Sequence, residues 1–179
     1  SILQAIQGEV ERLTEVTENY LTLARLPDPE LVGGQVADVL EDLLDFQGEE
    51  LSRAGIEVDF CAEDGLPDVR SDTNQLRQAF MNLVRNATDA MSGGGQLTVR
   101  AGHGGGGVEV SFADTGDGVA EEERDRIFDP LYSTKPDGTG LGLAVTRQIV
   151  ETHGGAVRCE PGPEGGTVFV VRLPSEVPA

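Results

Sequence analysis

Tryptophan is absent from this 179-residue chain, and all aromatic residues together make up only 4% of it. A core must therefore be built from Leu, Val and Ala, and the 38% of apolar residues is enough to build one. Positive charge is scarce too. Thirteen Lys and Arg stand against thirty-two Asp and Glu, a formal net charge of -19. That balance excludes a general nucleic-acid binder, which needs cations to neutralise a run of phosphates. Cysteine is limited to Cys61 and Cys159, with no CxxC spacing. Two readings stand for them: a disulfide, or two reduced small hydrophobes, the commoner state of isolated cysteines. No apolar run reaches membrane-spanning length, and Ser1 opens no signal-peptide pattern. The chain starts without Met, inside a helical pattern. The expectation is a soluble cytoplasmic piece of a longer protein, with no membrane contact of its own, from a parent free to be membrane-anchored.

What is present begins with "SILQAIQGEVERLTEVTENYLTLARLPDPE". Leu3, Ile6, Val10, Leu13, Thr17, Tyr20 and Ala24 alternate by three and four residues, with only Thr17 breaking the apolar seam. This is a heptad pattern over about three repeats, ended by Pro27 and Pro29. Such a helix cannot bury its stripe alone. It either pairs with a partner helix or folds back on its own domain.

From Leu31 the pattern is mixed. The spacing predicts a helix over "VADVLEDLLDFQGEELSRAG", closed by Gly55, then a strand at "IEVDFCA" and a turn through "EDGLPD". Asp72 or Thr73 opens a second helix that "SGGG" closes after Met91. "QLTVRA" and "VEVSFAD" form a hairpin across the glycine run 104–107, and residues 115–139 form a long functional loop. "GLAVTRQIVETH" is a helix with Gly154 and Gly155 past its end, followed by closing strands at "AVRCE" and "TVFVVRL". The expected class is α+β, a two-layer α/β sandwich with a mostly antiparallel sheet and helices over one face, preceded by one long heptad helix. The expected boundaries are helix 1–26, linker 27–32, domain 33–174 and tail 175–179.

Chemistry concentrates in a few clusters. In "FMNLVRNATDAM", Phe80, Leu83, Val84, Ala87 and Met91 make one helix face, while Asn82, Asn86 and Asp89 make a second, oxygen-rich stripe. "DTGDG" sets Asp114 at a strand end, where a buried carboxylate accepts from an amino group. Gly116 and Gly118 there let the backbone approach a flat ligand. Taken alone, that stretch is more often an ordinary strand-ending turn. "GTGLGLAV" puts Gly138, Gly140 and Gly142 at the mouth of a helix, an anion site that is neither a Walker A loop nor a dinucleotide fingerprint. Between them, "RIFDPLYSTKPD" offers Phe128, Leu131 and Tyr132 as anchors and Lys135 as a point charge for a terminal phosphate. In "EGGTVF", Thr167 comes onto a strand where its hydroxyl could share a water with Asp114.

In this order the clusters resemble the ATP-binding domain shared by sensor histidine kinases, type II topoisomerases, Hsp90 chaperones and MutL proteins, the Bergerat-type fold. Asn82 to Asn86 resembles the N box, Asp114 to Gly118 the first glycine box, Phe128 to Lys135 the F box, and Gly138, Thr139, Gly140, Leu141 and Gly142 the second glycine box. The resemblance spans about residues 31–174 and is nearest to nitrogen-regulation-type histidine kinases, with their short lid and "YSTK". It implies ATP and Mg²⁺ as cofactors. Asn86 would be the metal ligand and Asn82 the phosphate support, with Asp89 lining the pocket. Asp114 would read the adenine amino group beside Thr167. Lys135 would approach the γ-phosphate, and the second glycine box would wrap the phosphate chain. The loop from about 119 to 137 would be the ATP lid.

Topoisomerase-type relatives carry Glu at the position of Asn82, and an amide cannot act as a general base. That favours a kinase over an ATPase. The first 26 residues resemble the second helix of the dimerisation and histidine-phosphotransfer hairpin, which implies a possible homodimer through residues 3–24. The acceptor histidine of that family is missing, since His103 falls in a glycine-rich hairpin and His153 at a helix end. The resemblance therefore implies transfer to a histidine elsewhere, without autophosphorylation by this chain alone. The implied partners are ATP and ADP, a histidine-bearing helix and a response-regulator receiver domain. The alternatives are a nucleotide-binding regulatory module acting through lid closure, and an ATPase of the same superfamily.

Overall fold

The computed structural model describes residues 6–8, 10, 13, 14, 17, 20, 21, 26–135, 138–163 and 165–175. The chain runs β1 (Val32–Gly34), α1 (Val36–Arg53), β2 (Ile56–Ala62), β3 (Val69–Ser71), α2 (Thr73–Ala90), β4 (Gly95–Gly104), β5 (Gly107–Asp114), α3 (Gly142–Thr152), β6 (Ala156–Pro161) and β7 (Thr167–Pro174). The five long strands form one sheet in the order β2-β4-β5-β7-β6. Its pairs are antiparallel except β2 with β4, which are parallel because α2 lies between them in the chain. The short strands β1 and β3, which the periodicity did not predict, pair with each other. Three residues are too few to display a period.

Strand alternation decides the two faces of the sheet. Leu97, Val99 and Ala101 on β4, Val108, Val110 and Phe112 on β5, and Phe169, Val171 and Leu173 on β7 are buried under the helices. The opposite face carries ion pairs between neighbouring strands. Arg100 meets Asp59, and Arg172 Nε lies 2.6 Å from Glu109 Oε2. That guanidinium, partly offset by burial, holds the Glu109 carboxyl below its ordinary range. The result is a two-layer α+β sandwich, as expected.

Helix α2 is the centre of the core. Leu76, Ala79, Phe80 and Leu83 are fully buried, and the Phe80 ring lies 5.5 Å from that of Phe112. Asp72 caps its first turn, accepting from the N–H groups of Asn74 and Gln75 at 3.0 and 3.1 Å. The Glu30 N–H adds a third bond to Asp72 at 3.1 Å. Burial opposes ionisation here, but these donors keep the carboxyl below its usual range.

His153 is buried and touches the same point. Its Nε2 accepts the Asp72 N–H at 3.0 Å, and its Nδ1 lies 2.7 Å from the Ile149 carbonyl. A backbone N–H can only donate, so Nε2 is the acceptor and Nδ1 carries the proton. His153 thus ties the end of α3 to the start of α2, and Gln75 Nε2 ties the Pro27 carbonyl to the same corner at 2.9 Å. Of the heptad seam, Ile6, Val10, Leu13 and Tyr20 are helical and more than half exposed, so the domain does not cover them. Leu3 and Ala24 lie outside the described residues.

Candidate functional site

The polar stripe of α2 faces the start of α3. Asn82 is buried, and its Nδ2 donates to the Gly142 carbonyl at 3.0 Å and reaches Thr146 Oγ1 at 3.4 Å. One turn later, Asn86 Nδ2 donates to the Asn82 carbonyl at 2.8 Å, which turns Asn86 Oδ1 outward. Lys135, from the loop before α3, approaches that oxygen at 3.5 Å and Asp89 Oδ2 at 3.0 Å. The spacing of four and three residues therefore does bring Asn82, Asn86 and Asp89 to one side of the helix, where the loop lysine meets the last two.

Asp114 ends β5 and is 4% exposed. Its Oδ1 accepts the Gly116 N–H at 2.9 Å and the Thr167 N–H at 3.2 Å. Among the described residues no bond is made to Oδ2, so one carboxylate oxygen is fixed and the other is left to accept. The contact with Thr167 runs through its backbone N–H. Burial raises the titration of Asp114 above the ordinary carboxylate range, against the Gly116 and Thr167 N–H groups and the charge of Lys135, which lower it.

Two opposite pH dependences follow. A folded-state value above the unfolded one contributes stability that is present at low pH and lost as pH rises through the folded value. The resemblance implies that Asp114 accepts an adenine amino group, which needs the ionised form; on that reading nucleotide binding is expected to weaken as pH falls through the raised value. Calorimetric titration of ATP from neutral pH downward reads this directly. Affinity that stays flat until the ordinary carboxylate range contradicts it.

Glycines set the walls. A Cβ on Gly116 would lie 2.5 Å from the Ala90 carbonyl oxygen, so this loop rests directly on the end of α2. Gly118, with φ +78°, packs against Gly166, where a Cβ would lie 2.0 Å from the Asp114 carbonyl oxygen. Gly166 is the residue the sequence reading missed. The signal was the glycine pair in "EGGTVF", directly before Thr167.

The loop from Thr115 to Leu141 contains two single helical turns, Glu121–Glu123 and Arg126–Phe128. Phe128 is buried edge-on to Phe169 at 6.2 Å, with the Arg147 guanidinium 4.8 Å over its ring. Tyr132 donates to Glu123 Oε1 at 3.1 Å and lies under Arg126. The expected anchor at Leu131 is not one. Its side chain is 73% exposed, because φ of +65° turns it outward, and its N–H holds the Gly140 carbonyl at 2.9 Å instead.

The second glycine cluster follows. Gly138 has no room for a Cβ beside Ser133 Oγ, and Gly140 takes φ +66° against the Leu131–Tyr132 backbone. Thr139 Oγ1 accepts the Leu141 N–H at 3.3 Å, and Leu141 buries its side chain, leaving only its backbone to serve a ligand. Among the described residues no side chain caps α3, which leaves its first-turn N–H groups and positive end open to a ligand. The arrangement offers a buried acceptor, an uncapped helix start and a lysine around one glycine-lined region. It suits a ligand with an amino-bearing ring at one end and anionic groups at the other.

Comparison with known proteins agrees. The family described as histidine kinase-, DNA gyrase B- and HSP90-like ATPase matches residues 71–177. Sensor histidine kinase ZraS of Escherichia coli (strain K12) is 33% identical over 176 residues, covering 98% of this chain and 38% of that protein. The chain thus spans well under half the length of this curated relative. The crystal structure of full-length ShkA in complex with AMPPNP superimposes with a TM-score of 0.85 at 29% identity, over 100% of this chain and 39% of that one. The catalytic domain of histidine kinase ThkA, in a nucleotide-free form, gives 0.74 at 28% identity over 82% and 96%. The chain belongs to the histidine kinase-, DNA gyrase B- and HSP90-like ATPase family, as an ATP-binding catalytic domain of the histidine-kinase kind.

Proposed function

We propose that this domain holds ATP and presents its γ-phosphate to a histidine outside the chain, as the catalytic part of a two-component sensor histidine kinase. The observation that carries the reading is the pairing of Asp114, with one carboxylate oxygen fixed and one open, with an Asn stripe facing the start of α3. Asp114 Oδ2 accepts the adenine amino group, and Gly116, Gly118 and Thr167 shape the wall beside it. Gly138 to Gly142 give backbone N–H groups to the phosphates, and Asn82 keeps that segment in place through the Gly142 carbonyl.

Asn86 Oδ1 would hold a divalent cation such as Mg²⁺. Its amide is oriented by the bond to Asn82, and a lysine ammonium already stands beside the oxygen, which supports a preference for positive charge there. Among the described residues no group of three or more His, Cys, Asp or Glu could bind a metal. The remaining ligands would therefore be phosphates and water, the usual habit of Mg²⁺. When bound, such an ion neutralises phosphate charge and aligns the chain of phosphates. Lys135 serves the γ-phosphate and Asp89 lines the entrance. In transfer, the bond between the γ-phosphorus and the bridging oxygen breaks and a phosphorus–nitrogen bond forms. ADP leaves and the imidazole loses its proton. Asn82 cannot take a proton from water, which supports transfer over hydrolysis.

The same reading assigns the remaining parts. Residues 1–26 belong to a dimerisation hairpin, with a homodimer through 3–24, and 33–174 to the catalytic domain. The phosphohistidine then passes its group to a response-regulator receiver domain. No described helix is long and apolar enough to cross a membrane, in keeping with a cytoplasmic position. The test mixes this chain, Mg²⁺ and γ-labelled ATP with the separate histidine-bearing hairpin of a sensor kinase. An acid-labile, base-stable phosphoprotein is expected. Binding without transfer favours a regulatory module acting through lid closure, and steady release of inorganic phosphate favours an ATPase.

A further inference from the structure

Of the thirteen basic side chains, Lys135 is the only lysine. Its Nζ touches Asp89 Oδ2 and stands beside Asn86 Oδ1. Asn86 cannot readily turn that oxygen away, because its nitrogen is bound to the Asn82 carbonyl. The lysine therefore occupies the approach to the oxygen assigned above to the divalent cation, and the inference rests on that assignment. Two positive charges on one oxygen repel, the more so in a site partly screened from water.

We propose that Asp89 is a docking carboxylate for Lys135. It holds the ammonium against Asn86 Oδ1 until metal and nucleotide enter, and then releases it to the phosphates. Asp89 is thus a positioning residue that acts through Lys135. The side chains of the pair are 38% and 60% exposed, so the contact is weak, which suits one that must be given up. Lys135 sits in a small loop closed by the Leu131–Gly140 bond, with its own N–H on Ser133 Oγ at 3.1 Å and its carbonyl on the Gly138 N–H at 3.2 Å.

The experiment is calorimetric ATP binding, with EDTA and with excess Mg²⁺, for the wild-type chain, Asp89→Asn, Lys135→Met and the double variant. In EDTA, Asp89→Asn is expected to tighten binding roughly two- to fivefold, the size of a released exposed ion pair. The same change in the Lys135→Met background is expected to do nothing. A second readout uses protein with isotope-labelled lysine, whose single side-chain resonance is expected to move the same way on Asp89→Asn as on adding Mg²⁺ and ATP to the wild type. Equal tightening in both backgrounds overturns the proposal, since Asp89 would then act only as a negative charge near the phosphates. Loss of the Mg²⁺ dependence in Asp89→Asn regardless of Lys135 also overturns it, by giving Asp89 to the metal. These results leave the proposed function standing as long as the wild type binds ATP; a wild type that binds none in either buffer removes both readings.

Discussion

Asp114→Asn is expected to weaken ATP binding about a hundredfold, equivalent to about 2.7 kcal/mol, while the chain stays folded. Asn is nearly the same size as Asp and keeps an oxygen for the Gly116 and Thr167 N–H groups, which both converge on Oδ1. The open position then carries an amide N–H₂, so a donor faces the adenine amino donor. The size of the loss follows from burial. At 4% exposure, water cannot replace the missing acceptor. Calorimetry gives the affinity and circular dichroism checks the fold. An Asp114→Asn chain that binds ATP within a few-fold of wild type removes Asp114 from the adenine contact. Burial disfavours the charged carboxyl, so this variant is also expected to be no less stable at neutral pH.

Phe80→Ala is expected to cost about 3–5 kcal/mol of stability, the range for truncating a fully buried aromatic. Phe80 is 0% exposed, faces Phe112 and sits on the helix that carries Asn82 and Asn86. Domains of this size are held by about 5–15 kcal/mol, so much of the margin goes. Urea unfolding with and without ATP measures it. A loss below about 1 kcal/mol means the core closes over the gap, contrary to the close packing expected around a fully buried aromatic. ATP is expected to recover part of the loss, because it binds only the folded state.

The alternating positions on α2 show how far the sequence could be read. Its apolar and amide stripes are separated by helical spacing alone, and both appear where that spacing puts them. The strands β2, β4, β5 and β7 were legible for the same reason, since period-two burial writes itself into the residues. The short β1 and β3 were not, being too brief to show a period. Leu131 misled because an apolar residue between the buried Phe128 and the partly buried Tyr132 looks like an anchor, and only its positive φ reveals that it points away. Gly166 was passed over because a glycine pair in a loop has many explanations, and its tight approach to Asp114 involves residues 52 positions apart.

The sequence by itself determined the motif order on which the resemblance to an ATP-binding domain rests. Its order of Asn stripe, Asp-Gly turn, lysine-bearing loop and glycine-rich helix start depends on local spacing, which a linear reading can see. Tertiary structure alone decided how the side chains of the candidate site are set. It fixed Asp114 Oδ1 and left Oδ2 open, turned Asn86 Oδ1 toward Lys135, and set His153 against the cap of α2. Each of these depends on contacts between residues tens of positions apart. Such contacts form only when α2, α3 and the sheet close on a common core, and no local pattern encodes them.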